Sequence, residues 1–114
     1  MIRQSVSVSS ATQSDPIRLD ANQTRFGAGV LLEISNTATA TVEYTFDRPE
    51  TDPNNTTTAA DNWANATWYD ITDLTGVTAT SSALVDTNVM GVRIDCTAYT
   101  SGTVTLTVNQ GYQS

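Results

Sequence analysis

A run of two-residue alternation near the C-terminus constrains this chain more than any other feature. In residues 90–110, MGVRIDCTAYTSGTVTLTVNQ, the apolar series is Met90, Val92, Ile94, Cys96 and Ala98, then Val104, Leu106 and Val108. A period of two sends successive side chains to opposite faces of an extended chain, so each arm reads as a strand with one buried face. Ser101-Gly102 lies between the arms. A two-residue loop there would pair Asp95 with Val108 and set a carboxylate on the apolar face, because a one-residue slip reverses every side chain. A three-residue loop, Thr100-Ser101-Gly102, keeps the faces consistent: Ala98 opposes Val104, Cys96 opposes Leu106 and Ile94 opposes Val108. It also sets Gly102 at the left-handed position such a loop requires. The sequence predicts a hairpin over 90–110.

The pattern recurs upstream. Residues 25–35 carry Val30, Leu32 and Ile34 on one side and Glu33 and Ser35 on the other; residues 39–47 set Val42, Tyr44 and Phe46 against Thr41, Glu43, Thr45 and Asp47. A short turn at Asn36-Thr37 predicts that these strands pair with each other. Gly27 and Gly29 suggest a bulge or a close backbone approach. Without a GxGxxG pattern and a following helix they form no phosphate cradle. Residues 2–9 read as a first strand with Ile2, Val6 and Val8 on one face. The serine-rich stem at 9–14 is loose enough for residues 1–14 to act as an arm reaching a neighbouring subunit; the alternative is an ordinary edge strand. Shorter strands are expected at 17–19, 66–71, 76–79 and 83–85, with a helical turn at 59–65. No 3.6-residue period is sustained and no repeat occurs. About eight strands in one domain, 1–114, specify an all-β fold: an antiparallel β-sandwich of jelly-roll type.

What is missing narrows the chemistry. The chain has no histidine, its five cationic residues are all arginine, and it has one cysteine. Histidine acid–base catalysis, Ser-His-Asp triads, Schiff-base lysines and the usual zinc sites are thereby removed, and an enzyme is not expected. Cys96, on the inward face of its strand, reads as a small buried hydrophobe. A net charge of −7 repels phosphate backbones and anionic lipid surfaces, so neither nucleic acid nor membrane is an expected partner. No segment approaches the roughly 20 apolar residues of a membrane helix, and MIRQSVSVSS lacks the apolar run of a signal peptide. The 21 threonines suit a β-protein whose outer faces are solvated by hydroxyls.

Three constellations could carry function. Asp47, Glu50, Asp52, Asn54, Asn55 and Asp61 sit in or beside a long polar loop at 48–62. Such a loop can supply oxygen ligands to calcium, but it lacks EF-hand spacing, and solvated loop charges are the simpler reading. Twelve acids offer many carboxylate pairs for glycoside hydrolysis with no specific spacing. Trp63, Trp68 and Tyr69 concentrate aromatic mass, which serves either as packing at a core or subunit interface or as a platform for sugar rings. No cofactor and no small-molecule substrate are implied.

The segments TVEYTFDRP at 41–49, the tryptophan-containing 63–68 and VRIDCTAYTSGTVTLTVNQ at 92–110 resemble small virion structural proteins of tailed bacteriophages. The resemblance implies a capsid cement or decoration protein with a β-sandwich fold, bound to the major capsid protein at the outer surface of the virion. A homotrimer would suit local threefold positions on the shell. The alternatives are a head-fibre, neck or tail accessory protein, and, from another class, a carbohydrate-binding module. The expected interface residues are Ile2, Val6, Val8, Arg48, Trp63, Trp68 and Tyr69, with the arm at 1–14 and the loop at 48–62 as the binding regions.

Overall fold

The structure, a computed structural model, describes residues 2–19, 27–47, 63 and 65–110. The fold is all-β and antiparallel: β1 (Ile2–Val8), β2 (Ile17–Arg18), β3 (Ala28–Thr45), β4 (Tyr69–Asp70), β5 (Ser81–Val85) and β6 (Gly91–Gln110), with a 3-10 turn at Thr72–Leu74. Two of these strands are very long, 18 and 20 residues. They pair with each other from Ala28↔Gln110 at one end to Thr45↔Gly91 at the other.

Neither predicted hairpin forms. The segment 90–110 is one strand, and its two arms pair with β3 instead of with each other. Ile94 opposes Val42, Cys96 opposes Ala40, Leu106 opposes Leu32 and Val108 opposes Val30. Likewise 28–35 and 39–45 are halves of one strand. The two turn signals mark a bend in a double ribbon. Asn36 and Gly102 lie directly opposite each other, and both have positive φ, 85° and 93°. Beside them the register shifts twice, leaving Thr100 and Thr97 of β6 as extra residues between Thr37/Ala38 and Thr39/Ala40. Bulges of this kind sharpen local twist and bend the strand. Side chains bridge the junction: the Thr103 N–H donates to Ser35 Oγ at 3.0 Å, and the Tyr99 hydroxyl donates to the Gly102 carbonyl at 2.9 Å. Gly102 is obligatory, since a Cβ there would overlap the Ser35 carbonyl oxygen.

The bend makes two layers from one ribbon. Straight strands of this length would span about 60 Å at ~3.3 Å per residue, whereas the largest extent of the molecule is 41 Å. One layer has the order β1, C-terminal half of β6, N-terminal half of β3, β5; the other has β2, N-terminal half of β6, C-terminal half of β3, β4. The described residues hold six strands, fewer than the eight or so expected, because β3 and β6 each run through the bend and serve in both layers, four strand segments to a layer.

The inward residues of each layer cover the other. Val30, Leu32, Leu106 and Val108 on one side, and Val42, Val92, Ile94 and Cys96 on the other, belong to one buried cluster. Among the described residues no α-helix is present to cover either face, so the second layer provides the burial. Val89 and Leu74 add further fully covered side chains to this core. Gly27 and Gly29 mark no close approach: a Cβ would meet nothing within 4 Å at Gly27, and at Gly29 only the Asn109 carbonyl at 3.9 Å.

The N-terminal segment follows β6 along both of its halves. Ile2–Val8 pairs with 104–110, the Cys96 N–H donates to the Thr12 carbonyl at 3.0 Å, Ser14 and Ile94 exchange bonds at 2.9 Å, and Ile17–Arg18 pairs with 91–92. Within the single chain, residues 2–8 are thus an edge strand, the alternative to an arm, because β6 offers an edge with a matching apolar face. On the far side, 69–85 tracks β3 in the same way, through Tyr44↔Tyr69, Ala40↔Val77 and Leu32↔Ser81. The strand expected at 76–79 is reduced to the single bridge at Val77.

Candidate functional site: an aromatic cleft at the end of the sandwich

Alternation along the strands distributes the aromatic residues to opposite faces. Glu43 and Arg93 are a cross-strand pair on the outer face of the second layer, with Arg93 Nε 2.8 Å from Glu43 Oε1 and both side chains largely buried. The Arg93 guanidinium lies over the Trp68 ring, 4.3 Å from its centroid, and Trp63 and Trp68 are 5.7 Å apart. The segment is tied down by the Thr67 N–H donating to Asp47 Oδ2 at 2.6 Å. Trp63 packs on Gly91, where the bare backbone leaves room for the indole. The two tryptophans thus cover a buried ion pair, and their rings are engaged from below.

Tyr69 belongs to a different group. It pairs with Tyr44, whose side chain shares the inward parity of Val42, and the ring centroids are 5.8 Å apart. Phe46 completes the cluster, 5.4 Å from Tyr44 and 6.2 Å from Tyr69. The platform of Trp63, Trp68 and Tyr69 does not assemble, since successive residues of a strand face opposite ways. What assembles is Tyr44, Phe46 and Tyr69. Phe46 and Tyr69 are 50% and 48% exposed, an unusual amount of aromatic surface for a chain with so few aromatics.

Beside Tyr44 and Phe46 is a cleft of about 330 Å³, lined among the described residues by these two with Asp70, Ile71, Val85 and Asp86; Asp70 stands opposite Glu43, so its side chain is on the outer face of the layer. The cleft lies where β3, β4 and β5 reach their ends. Neither Asp70 nor Asp86 makes a side-chain hydrogen bond or an ion pair with another described residue. Leu84, also in the lining, is 71% exposed. Phe46 could have been found from the sequence as the last apolar residue of an alternating strand, directly before the polar loop. Asp70 and Asp86 carried no signal that set them apart from the other acids.

The remaining sequence-predicted positions fall elsewhere. Val8 is part of the core, and the half-buried Val6 packs against it, opposite Leu106. Arg48, the side chain of Ile2, the whole of the loop at 48–62 and, apart from Trp63 and Asn65, the turn at 59–65 lie outside the described residues. Among the described residues no group of three or more His, Cys, Asp or Glu is placed to hold a metal ion, and no helix is long and apolar enough to cross a membrane.

Two consequences can be measured. At Gly91 a Cβ would stand 2.7 Å from the Trp63 ring, so Gly91→Ala is expected to displace the indole. Its emission should shift to the red, with about 1–2 kcal/mol lost in a denaturant titration, the cost of overpacking a tight contact. Cys96 is 3% exposed and its thiol is 3.4 Å from the Ala98 carbonyl. The native protein should react with a thiol reagent only at the rate of its unfolding, and non-reducing electrophoresis should show no dimer linked through Cys96.

No protein-family model matches the chain, and no curated protein matches it. A chain from a solved structure of Bacillus endospore appendages, described as a novel family of disulfide-linked pili, is similar over 99% of this chain and 88% of its own. The identity is 18% and the TM-score 0.40. A likeness at that distance bears on neither activity nor assembly.

Proposed function

We propose that this chain is a non-catalytic structural protein that docks on a larger protein assembly, and that the assembly is the capsid of a tailed bacteriophage. It would bind the outer surface through the major capsid protein and stabilise the shell, as a cement or decoration protein, with a homotrimer as the bound form. The observation that carries the docking half of this reading is the exposed Phe46–Tyr69 pair, with Phe46 also lining a cleft at the end of the two-layer body. Half-exposed aromatics clustered at one end are the composition of interface anchors. The capsid half rests on the sequence resemblance of 41–49, 63–68 and 92–110. An acidic protein of net charge −7 is also suited to basic patches on a shell and kept off a packaged genome.

The test is co-purification with intact phage particles. The reading expects a fixed copy number per particle in the hundreds or tens, consistent with shell positions, and a raised temperature of capsid rupture in its presence. A copy number of about a dozen or fewer would move the protein to a neck, tail or head-fibre position. Its absence from purified particles would remove the virion reading altogether. A trimeric mass in solution supports the cement form.

A carbohydrate-binding module is the second reading, favoured by the exposed aromatics Phe46 and Tyr69. Phe46 and Tyr69 would then be the stacking surface in place of Trp63 and Trp68. A glycan panel that perturbs neither Tyr69 nor Phe46 disposes of it.

A further inference from the structure

We propose that the outer face of the first layer, formed by β1, β5 and the adjoining halves of β3 and β6, is a two-fold contact surface on which a second copy of this chain packs in solution. The proposal goes beyond the docking reading and does not rest on it; the trimer named there is a bound form. Residues directly opposite on neighbouring strands share a face, so the register fixes which side chains lie here. One row is Arg3, Asn109, Gly29 and Leu84; the next is Ser5, Thr107, Leu31 and Ser82; the third is Ser7, Thr105 and Glu33. Val30, Leu32, Leu106 and Val108, which alternate with these along the strands, are in the core, so the rows point away from it.

Among the described residues Arg3 and Glu33 supply the charges of this face, both are exposed, and neither is paired with another described side chain. One cation and one anion leave the face neutral on a chain of net charge −7, so copies that repel elsewhere can meet here. The two are also placed symmetrically about Thr107. Arg3 opposes Asn109 and lies one strand to one side; Glu33 opposes Thr105 and lies one strand to the other. Consider a two-fold axis in the plane of the face, over Thr107 and at right angles to the line from Arg3 to Glu33. It sets Arg3 of each copy over Glu33 of the other. A surface that answers its own charges in this way is what an isologous contact requires.

The same axis meets the projecting apolar group of the face. With strands ~4.8 Å apart and ~3.3 Å per residue, it runs from Thr107 to Leu84, two strands across and two residues along. Leu84 is 71% exposed, more than any other large apolar side chain among the described residues, and Gly29 beside it leaves the face open. On the axis Leu84 packs against Leu84 of the other copy. The strands of the two copies then cross at about 110°, near the orthogonal class of sheet packing. Four strands of about seven residues offer roughly 450 Å² per copy, about half of the usual interface, so the pair is weak and concentration-dependent.

The test is sedimentation equilibrium of the full chain from about 1 μM to 1 mM, over which the mass is expected to rise from one chain towards two. Arg3→Glu and Glu33→Arg each set like charges over one another at both contacts, and each should weaken the pair about tenfold or more. Glu33→Arg also lowers the net negative charge, so general repulsion alone would tighten it. An equimolar mixture of the two variants, and the doubly substituted chain, should recover wild-type association, because both restore opposite charges at the two contacts. Leu84→Asp should weaken the pair to a similar extent. All three positions are exposed, so the melting temperature of the dilute protein should not change. A single-chain mass throughout, Glu33→Arg associating as wild type or more tightly, or single variants that fail to recover on mixing would each overturn the proposal. A three-chain mass would overturn it while supporting the cement form, so the two readings fail separately.

Discussion

Replacing Gly102 with alanine is expected to remove about 4 kcal/mol or more, most of the stability of a domain this size. Two costs combine. A non-glycine residue held at a φ of 93° is strained by roughly 1–2 kcal/mol. The added methyl also overlaps the Ser35 carbonyl across the ribbon, and Asn36 Cβ would stand 2.7 Å away. Neither neighbour can retreat, because Ser35 Oγ accepts from the Thr103 N–H and Asn36 is itself in the left-handed region. The matched control is Asn36→Gly. It keeps the positive φ at the opposing position without adding atoms, and a change within about 1 kcal/mol is expected. Urea titration of both variants would check the pair, with soluble Gly102→Ala of wild-type stability the contrary result.

The second large effect is at Leu106. It is fully buried, opposes Leu32 on one side and Val6 on the other, and faces the second layer. Leu106→Ala should cost about 3–4 kcal/mol, because a shared core with strands on both sides collapses little into the space. The melting temperature should fall by roughly 15 °C. One residue earlier, Thr105 points the other way, and its hydroxyl meets Ser7 Oγ at 2.9 Å at an exposed position. Thr105→Ala is expected to stay within about 0.5 kcal/mol. The contrast between neighbours tests which face of β6 is inside.

That face was largely legible in the sequence. Period-two alternation set eight residues on the buried side, and Val92, Ile94, Cys96, Val104, Leu106 and Val108 are buried; Met90 is half-buried and Ala98 exposed, because the extra residue Thr97 breaks the alternation before it. Alternation also identified Gly102 as the position needing positive φ. The partner of each strand was not legible. A hairpin loop and a sharp bend in a long strand need the same left-handed residue, and the choice between them depends on contacts some 70 residues away in sequence. One signal was present: Asn36 and Gly102 have arms of nearly equal length on their flanks, so two ribbons of this pattern can align bend to bend. The cleft was half legible. Phe46 and Tyr69 were visible as aromatics, but Tyr69 was grouped with Trp63 and Trp68 by nearness in sequence, although adjacent strand residues face apart. Tyr44 and Phe46 join it only because β4 pairs with the end of β3.

The folded ribbon underlies the rest, since it brings the ends of β3, β4 and β5 together and builds the cleft. Cross-strand backbone nuclear Overhauser effects in the labelled protein test it most directly. The ribbon predicts effects linking Val30 to Val108 and Val42 to Ile94, along both halves of β3. Backbone effects linking Ile94 to Val108 and Cys96 to Leu106 within 90–110 would instead show a hairpin, and would contradict the two-layer ribbon and the site built on it.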